Sequence, residues 1–263
     1  VSDAIRRPAL LLGLAWLGFV SLGLPDGLLG VAWPSIRGSF GLPLDALGGL
    51  LVATTSGYVL SSFLSGRILT RIGVGALLAL SCLATAASLL GYALAPAWGA
   101  VIGFGLLAGL GAGAIDAGIN THVATHHSPR TLAFAHACYG LGAAAGPALM
   151  TGVLMAGRPW QAGYAGVGAA VLALGLAFAA TRALWPPPAG APATGGPVAA
   201  PPPAGATLRL PAARLGCAAF FVYTGLEATA GAWLYSLLHE SRGVAMPAAG
   251  TAVSAYWGGL MAG

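Results

Sequence analysis

Residues Gly109–Ala124 read GLGAGAIDAGINTHVA, with an aspartate, Asp116, set among glycine, alanine and isoleucine. Closely spaced glycines form phosphate-binding loops when a strand precedes them and a helix follows, and no such strand precedes this run. The same residues at helical spacing let two membrane helices approach closely. Composition decides between these readings. Of 263 residues, 57% are hydrophobic and 6% charged, whereas a soluble domain carries about 25% charged residues. The stretch therefore reads as part of a membrane span, and Asp116 is an ionisable group within hydrocarbon.

Working outward, runs of about 20 apolar residues predict seven spans, near residues 9–33, 46–66, 74–94, 98–121, 132–156, 161–184 and 213–238. An eighth begins near residue 247. The first run is too long and too polar for a cleaved signal peptide, so it is read as a span. Between spans six and seven, WPPPAGAPATGGPVAAPPPAGATLR is too rich in proline and glycine to continue a helix or pack a core, and reads as a linker. The expected organisation is a six-helix bundle over 1–184, a linker over 185–211 and the start of a second bundle over 212–263. An eighth helix that stops half-way would leave backbone groups without partners in lipid, so the chain is read as incomplete.

The chain contains no lysine, and its formal charge of +5 comes from arginine. With an inside N-terminus, eight arginines (6, 7, 67, 71, 130, 182, 209 and 214) fall on the inner side and three (37, 158 and 242) on the outer side. Positive charge in short loops is retained in the cytoplasm, which predicts a cytoplasmic N-terminus and linker. No basic arm points to nucleic acid. Three cysteines, Cys82, Cys138 and Cys217, lie in apolar runs without disulfide or zinc spacing and are expected to be buried.

Two pairs of segments repeat in the same order. FVSLGLPDGLLG (Phe19–Gly30) matches FVYTGLEATAG (Phe221–Gly231), aligning Asp26 with Glu227. SGYVLSSFLSG (Ser56–Gly66) matches SAYWGGLMAG (Ser254–Gly263). Span seven thus restarts the pattern of span one, a parallel repeat of six-helix units.

Six spans, a linker, a restarted repeat and SGRILTRIG (Ser65–Gly73) between spans two and three resemble the major facilitator superfamily. The last segment resembles its cytoplasmic gating loop through Gly66, Arg67, Arg71 and Gly73, with Thr70 where that pattern has an acid. LGLPDGLLGVAWPSI, GAIDAGINT, LAFAHACYGLGAAAGP and GLEATAGAWLY resemble the fucose permease-like branch of sugar-proton symporters. The resemblance implies an all-α integral membrane bundle, comprising the N-terminal six-helix half, helix seven and part of helix eight. It also implies a monomer in the cytoplasmic membrane that moves a small solute, a sugar, by alternating access driven by a proton gradient. No other cofactor, no metal and no enzymatic reaction are implied. GLGAAAGPALMTG (Gly140–Gly152) resembles the fifth-helix signature of drug-proton antiporters, so a proton-driven exporter is the alternative.

An ionised carboxylate at mid-membrane costs about 2.5–3.5 kcal/mol on insertion scales, so such residues face a polar cavity or a partner and mark transport pathways. Asp26, Asp116 and Glu227 are the candidates, with Asn120 sharing the face of Asp116 at i+4. A carboxyl can carry a proton or accept hydrogen bonds from sugar hydroxyls. His136, Tyr139 and Trp233 add hydrogen-bonding and stacking groups for a sugar. His122 and His126 have the i, i+4 spacing of a helical metal site, but Val123 stands where H-E-x-x-H has its glutamate. With His127 they are read as a cytoplasmic loop cluster.

Overall fold

A computed structural model describes residues 2–186 and 209–262, with side chains of the first helix described from Ala9 onward. Most of the expected linker, residues 187–208, lies outside the described residues. The described residues form eight long helices: α1 (Ser2–Phe40), α2 (Leu47–Ile72), α3 (Val74–Leu94), α4 (Trp98–His126), α5 (Pro129–Met155), α6 (Trp160–Thr181), α7 (Pro211–Ser236) and α8 (Met246–Ala262). No strand occurs among the described residues. Among the described residues six helices, α1 to α6, are long and apolar enough to cross a membrane. Helix α7 has the length but carries Arg214, Tyr223, Thr224 and Glu227, which lower its apolarity.

Several boundaries differ from the sequence expectation. Helix α1 continues through Pro25 and Pro34 to Phe40; proline is tolerated within a membrane helix where neighbouring helices and local backbone adjustment re-satisfy the freed carbonyl. Helix α2 continues through the segment expected to be a loop. Ser65 to Ile72 are helical, and Gly73 alone joins α2 to α3, at φ 78° and ψ 166°. Apolarity ends near Arg67, but a helix need not stop where the hydrocarbon does. Likewise His122 and His126 lie on α4 rather than in a loop.

Backbone contacts between small residues fix the packing. Gly23 and Gly27 of α1 face Gly142 and Gly146 of α5: a Cβ placed on Gly23 would lie 2.1 Å from the Tyr139 carbonyl oxygen, and one on Gly142 would lie 2.1 Å from that of Val20. Helices α2 and α4 meet the same way. A Cβ on Gly57 would be 2.3 Å from Leu106 O, and one on Gly109 would be 1.9 Å from Thr54 O. The spacing of Gly105, Gly109 and Gly113 puts all three on one face of α4, as the small-residue reading of this stretch requires. Helices α3 and α6 pack beside these pairs, with Gly168 against Leu90 and Gly175 against Cys82 and Leu83.

Large apolar side chains such as Phe63 and Leu94, 80% and 81% exposed, stand on the outside, as a lipid-facing surface requires. Cys82 and Cys138 are buried as expected, but Cys217 is exposed, since α7 has no buried residue before Gly231.

Candidate functional site

The α2–α4 crossing brings Tyr58 beside Asp116. The Tyr58 hydroxyl donates to Asp116 Oδ2 at 2.7 Å, and Asn120 Nδ2 donates to Oδ1 at 2.9 Å. Both carboxylate oxygens are therefore engaged within the first six helices. Asn120 reaches Asp116 because i and i+4 stack along one helix face. Tyr58 reaches it because Gly109 and Gly113 let α2 lie against the α4 backbone.

The α1–α5 crossing makes a second pair. The Tyr139 hydroxyl donates to Asp26 Oδ2 at 2.9 Å. Gly23 and Gly27 flank Asp26, and the Tyr139 carbonyl is the atom against which Gly23 packs. Asp26 is exposed and Tyr139 half-buried, and one oxygen of this carboxyl accepts a side-chain bond from a described residue, against both oxygens of Asp116. The Tyr139 ring stands edge-on to Trp257 of α8, with centroids 6.4 Å apart.

Glu227 lies half-buried on α7, four residues before Gly231, which packs against Gly30 of α1. Its backbone carbonyl accepts a hydrogen bond from the Tyr256 hydroxyl at 3.2 Å. In the sequence repeat Tyr256 is the counterpart of Tyr58, so each repeat places a tyrosine next to an acid-bearing helix. The structure thus brings together Asp26 with Tyr139, and separately Asp116 with Asn120. His136 sits one turn before Tyr139, edge-on to Phe19 at 5.2 Å, and is exposed. Trp233 is half-buried against the core, and neither it nor His136 hydrogen-bonds another described residue through its side chain.

Sequence reasoning missed Tyr58, Tyr256 and Trp257. All three lie in the second repeated pair, at Ser56–Gly66 and Ser254–Gly263, so the repeat carried the signal. Arg67 and Arg71 are exposed near the end of α2 and make no ion pair among the described residues. Gly66 has nothing within 4 Å of a placed Cβ, and Gly73 supplies the left-handed backbone of the α2–α3 turn. His122 is 3% exposed and stacks with His126 at 4.8 Å and edge-on to Trp185 at 4.8 Å. That places it in packing at the end of the bundle, and among the described residues no His, Cys, Asp and Glu group is arranged to hold a metal. Trp185, assigned to the linker by the expected boundary, is buried there. Gly142 and Gly146, which carry the antiporter-like pattern, serve the α1 contact.

The family model described as Major Facilitator Superfamily matches residues 3–263. Comparison with curated proteins returns no match.

Proposed function

Because the chain belongs to the Major Facilitator Superfamily and is a multi-pass membrane transporter, we propose that it moves a neutral sugar across the cytoplasmic membrane together with protons. The supporting observation is the pair of tyrosine-held carboxylates, Asp26 with Tyr139 and Asp116 with Tyr58, on helices that the bilayer would otherwise keep free of charge. Asp26, open and singly bonded, is suited to exchange a proton and to accept sugar hydroxyls. Asp116, with both oxygens engaged, holds α2 and α4 in register and changes its bonding when protonated. His136, Tyr139, Glu227 and Trp233 complete the substrate surface.

In this reading residues 1–184 form one rocking unit, residues 212–263 belong to the other, and 185–211 tether them on the cytoplasmic side, with the N-terminus also inside and the molecule working as a monomer. Gly66, Arg67, Arg71 and Gly73 sit at the cytoplasmic end of α2, where the gate would close. The resemblance of spans one, four, five and seven to fucose permease-like proteins supports a sugar as substrate and import as direction.

The test follows external pH in lightly buffered cells on adding hexoses and 6-deoxyhexoses, with Asp26→Asn and Asp116→Asn alongside. Sugar-induced alkalinisation that is lost in either variant, with the protein present in the membrane, is the expected result. No pH response to any sugar in the parent protein would overturn sugar-proton import and favour a proton-driven exporter.

A further inference from the structure

Tyr139, the donor to Asp26, stands on α5 beside two glycines, Gly140 and Gly142. Gly142 gives its space to the α1 backbone, and Gly140 to Met261 of α8, whose Cβ lies 2.7 Å from a placed Cβ. Neither glycine can hold the phenol ring in one rotamer. Among the described residues the one aromatic ring packed against it is the indole of Trp257, edge-on with centroids 6.4 Å apart. Aromatic pairs attract over centroid distances of about 4.5–7 Å, so this contact can fix the ring.

Trp257 is itself braced from the other side. It is 4% exposed, and its indole fills the space beside Gly231 of α7, where a placed Cβ would overlap Cζ2 and lie 3.0 Å from Cε2. The preceding residue, Tyr256, packs edge-on against the indole with centroids 5.5 Å apart. Its hydroxyl donates to the Glu227 carbonyl, four residues before Gly231. Two adjacent residues of α8 thus hold two successive turns of α7. The tryptophan is particular to this repeat: aligning SGYV (Ser56–Val59) with SAYW (Ser254–Trp257) pairs Tyr58 with Tyr256 but Val59 with Trp257. Val59 is 46% exposed, whereas Trp257 sits between α5 and α7.

We infer that Trp257 is a positioning residue: braced beside Gly231, its indole keeps the Tyr139 ring turned toward α1, so that the hydroxyl stays on Asp26 Oδ2. Trp257 Nε1 has no hydrogen-bond partner among the described residues, so its effect on the acid passes through the tyrosine. A flexible aliphatic side chain in its place would leave the phenol free to change rotamer, and the bond to Asp26 would be made only part of the time. The bearing of Trp257 on transport rests on the sugar-proton reading above. Its bearing on the Tyr139–Asp26 bond does not.

The Asp26 carboxyl reports on this bond directly. The sequence holds six acidic side chains, so in the purified full chain the infrared band of Asp26 is assigned by its loss in Asp26→Asn. Hydrogen bonding shifts a carboxyl band. Tyr139→Phe should therefore move it, and Trp257→Leu should move it in the same direction. Trp257→Phe, which keeps a ring against Tyr139, should leave the band near its parent position. Gly231→Ala adds a methyl whose three nearest atoms are all on the indole, so it should move the band when Trp257 is present and not in Trp257→Leu. A band unmoved by Trp257→Leu or by Gly231→Ala, or moved as far by Trp257→Phe, would overturn the inference. So would a Gly231→Ala shift that survives removal of the indole. If Trp257→Leu fails to fold, Gly231→Ala and Trp257→Phe decide. External pH on adding hexoses and 6-deoxyhexoses gives a second readout: Trp257→Leu should slow uptake about 10- to 100-fold, and adding Tyr139→Phe should slow it no further. No response to any of these sugars in the parent would sink the substrate reading and leave the infrared series to decide the role of Trp257.

Discussion

Changing Gly109 to alanine tests whether the glycines of α4 hold Asp116 in place. The new Cβ would lie 1.9 Å from the Thr54 carbonyl oxygen, where ordinary contact begins at 3.4 Å, so α2 and α4 must separate by about 1.5 Å. The obstructing atom is backbone, so no rotamer change can relieve it. Overpacking of this kind costs up to about 3 kcal/mol, offset by about 1 kcal/mol from the better helix propensity of alanine. A net loss of about 2 kcal/mol is expected. The same separation would stretch the Tyr58–Asp116 bond from 2.7 Å to about 4.2 Å, beyond hydrogen-bonding range. Gly103 of the same helix has nothing within 4 Å of a placed Cβ, so Gly103→Ala is the control. Thermal unfolding of the purified protein in detergent, followed by tryptophan fluorescence, should rank Gly103→Ala at or above the parent and Gly109→Ala well below it. Gly109→Ala should also lose transport before it loses membrane insertion. If the two variants melt together, close approach through Gly109 does not hold this pair of helices and the account of Asp116 fails.

Two further outcomes follow from single contacts. Tyr139→Phe keeps the ring beside Trp257 and removes the donor to Asp26. A hydrogen bond to a charged group contributes about 1.5–3 kcal/mol, so kcat/KM for transport should fall about 10- to 100-fold, with the melting temperature little changed. Gly73→Ala meets no atom within 4 Å but forces a side chain onto φ 78°. It should therefore destabilise the protein by about 1–3 kcal/mol, read as a lower melting temperature.

The helices were legible in the sequence because each needs a long apolar run, and α3, expected at 74–94, is observed at Val74–Leu94. Their ends were less legible where composition and backbone part company. Arg67 and Arg71 stop the apolar run of α2 but not its helix, which ends only where Gly73 takes a left-handed conformation. Of the candidate site, the acids stood out against their surroundings, and the Asp116–Asn120 bond follows from spacing on one helix. The tyrosines did not, because a hydroxyl on an apolar helix gives no sign of which neighbouring helix it faces. Tyr58 and Asp116 are 58 positions apart, and Tyr139 and Asp26 are 113 apart.

What joins these pairs is also what stood in the opening stretch of sequence. Asp26 lies between Gly23 and Gly27, Asp116 three residues after Gly113, and Glu227 four residues before Gly231, and each of these glycines packs against another helix. A carboxyl in hydrocarbon needs a hydrogen-bonding partner, and on a membrane helix most of the backbone is already paired. Asp26 and Asp116 each take a partner from the next helix, Tyr139 at 2.9 Å and Tyr58 at 2.7 Å, an approach that bulky residues at the crossing would prevent. A glycine within one turn of Asp26 and of Asp116 admits that approach. The α1–α5 and α2–α4 crossings lie within the first six helices, whereas Gly231 joins α7 to α1, so helix α1 carries both the contact that places Asp26 and a contact to α7.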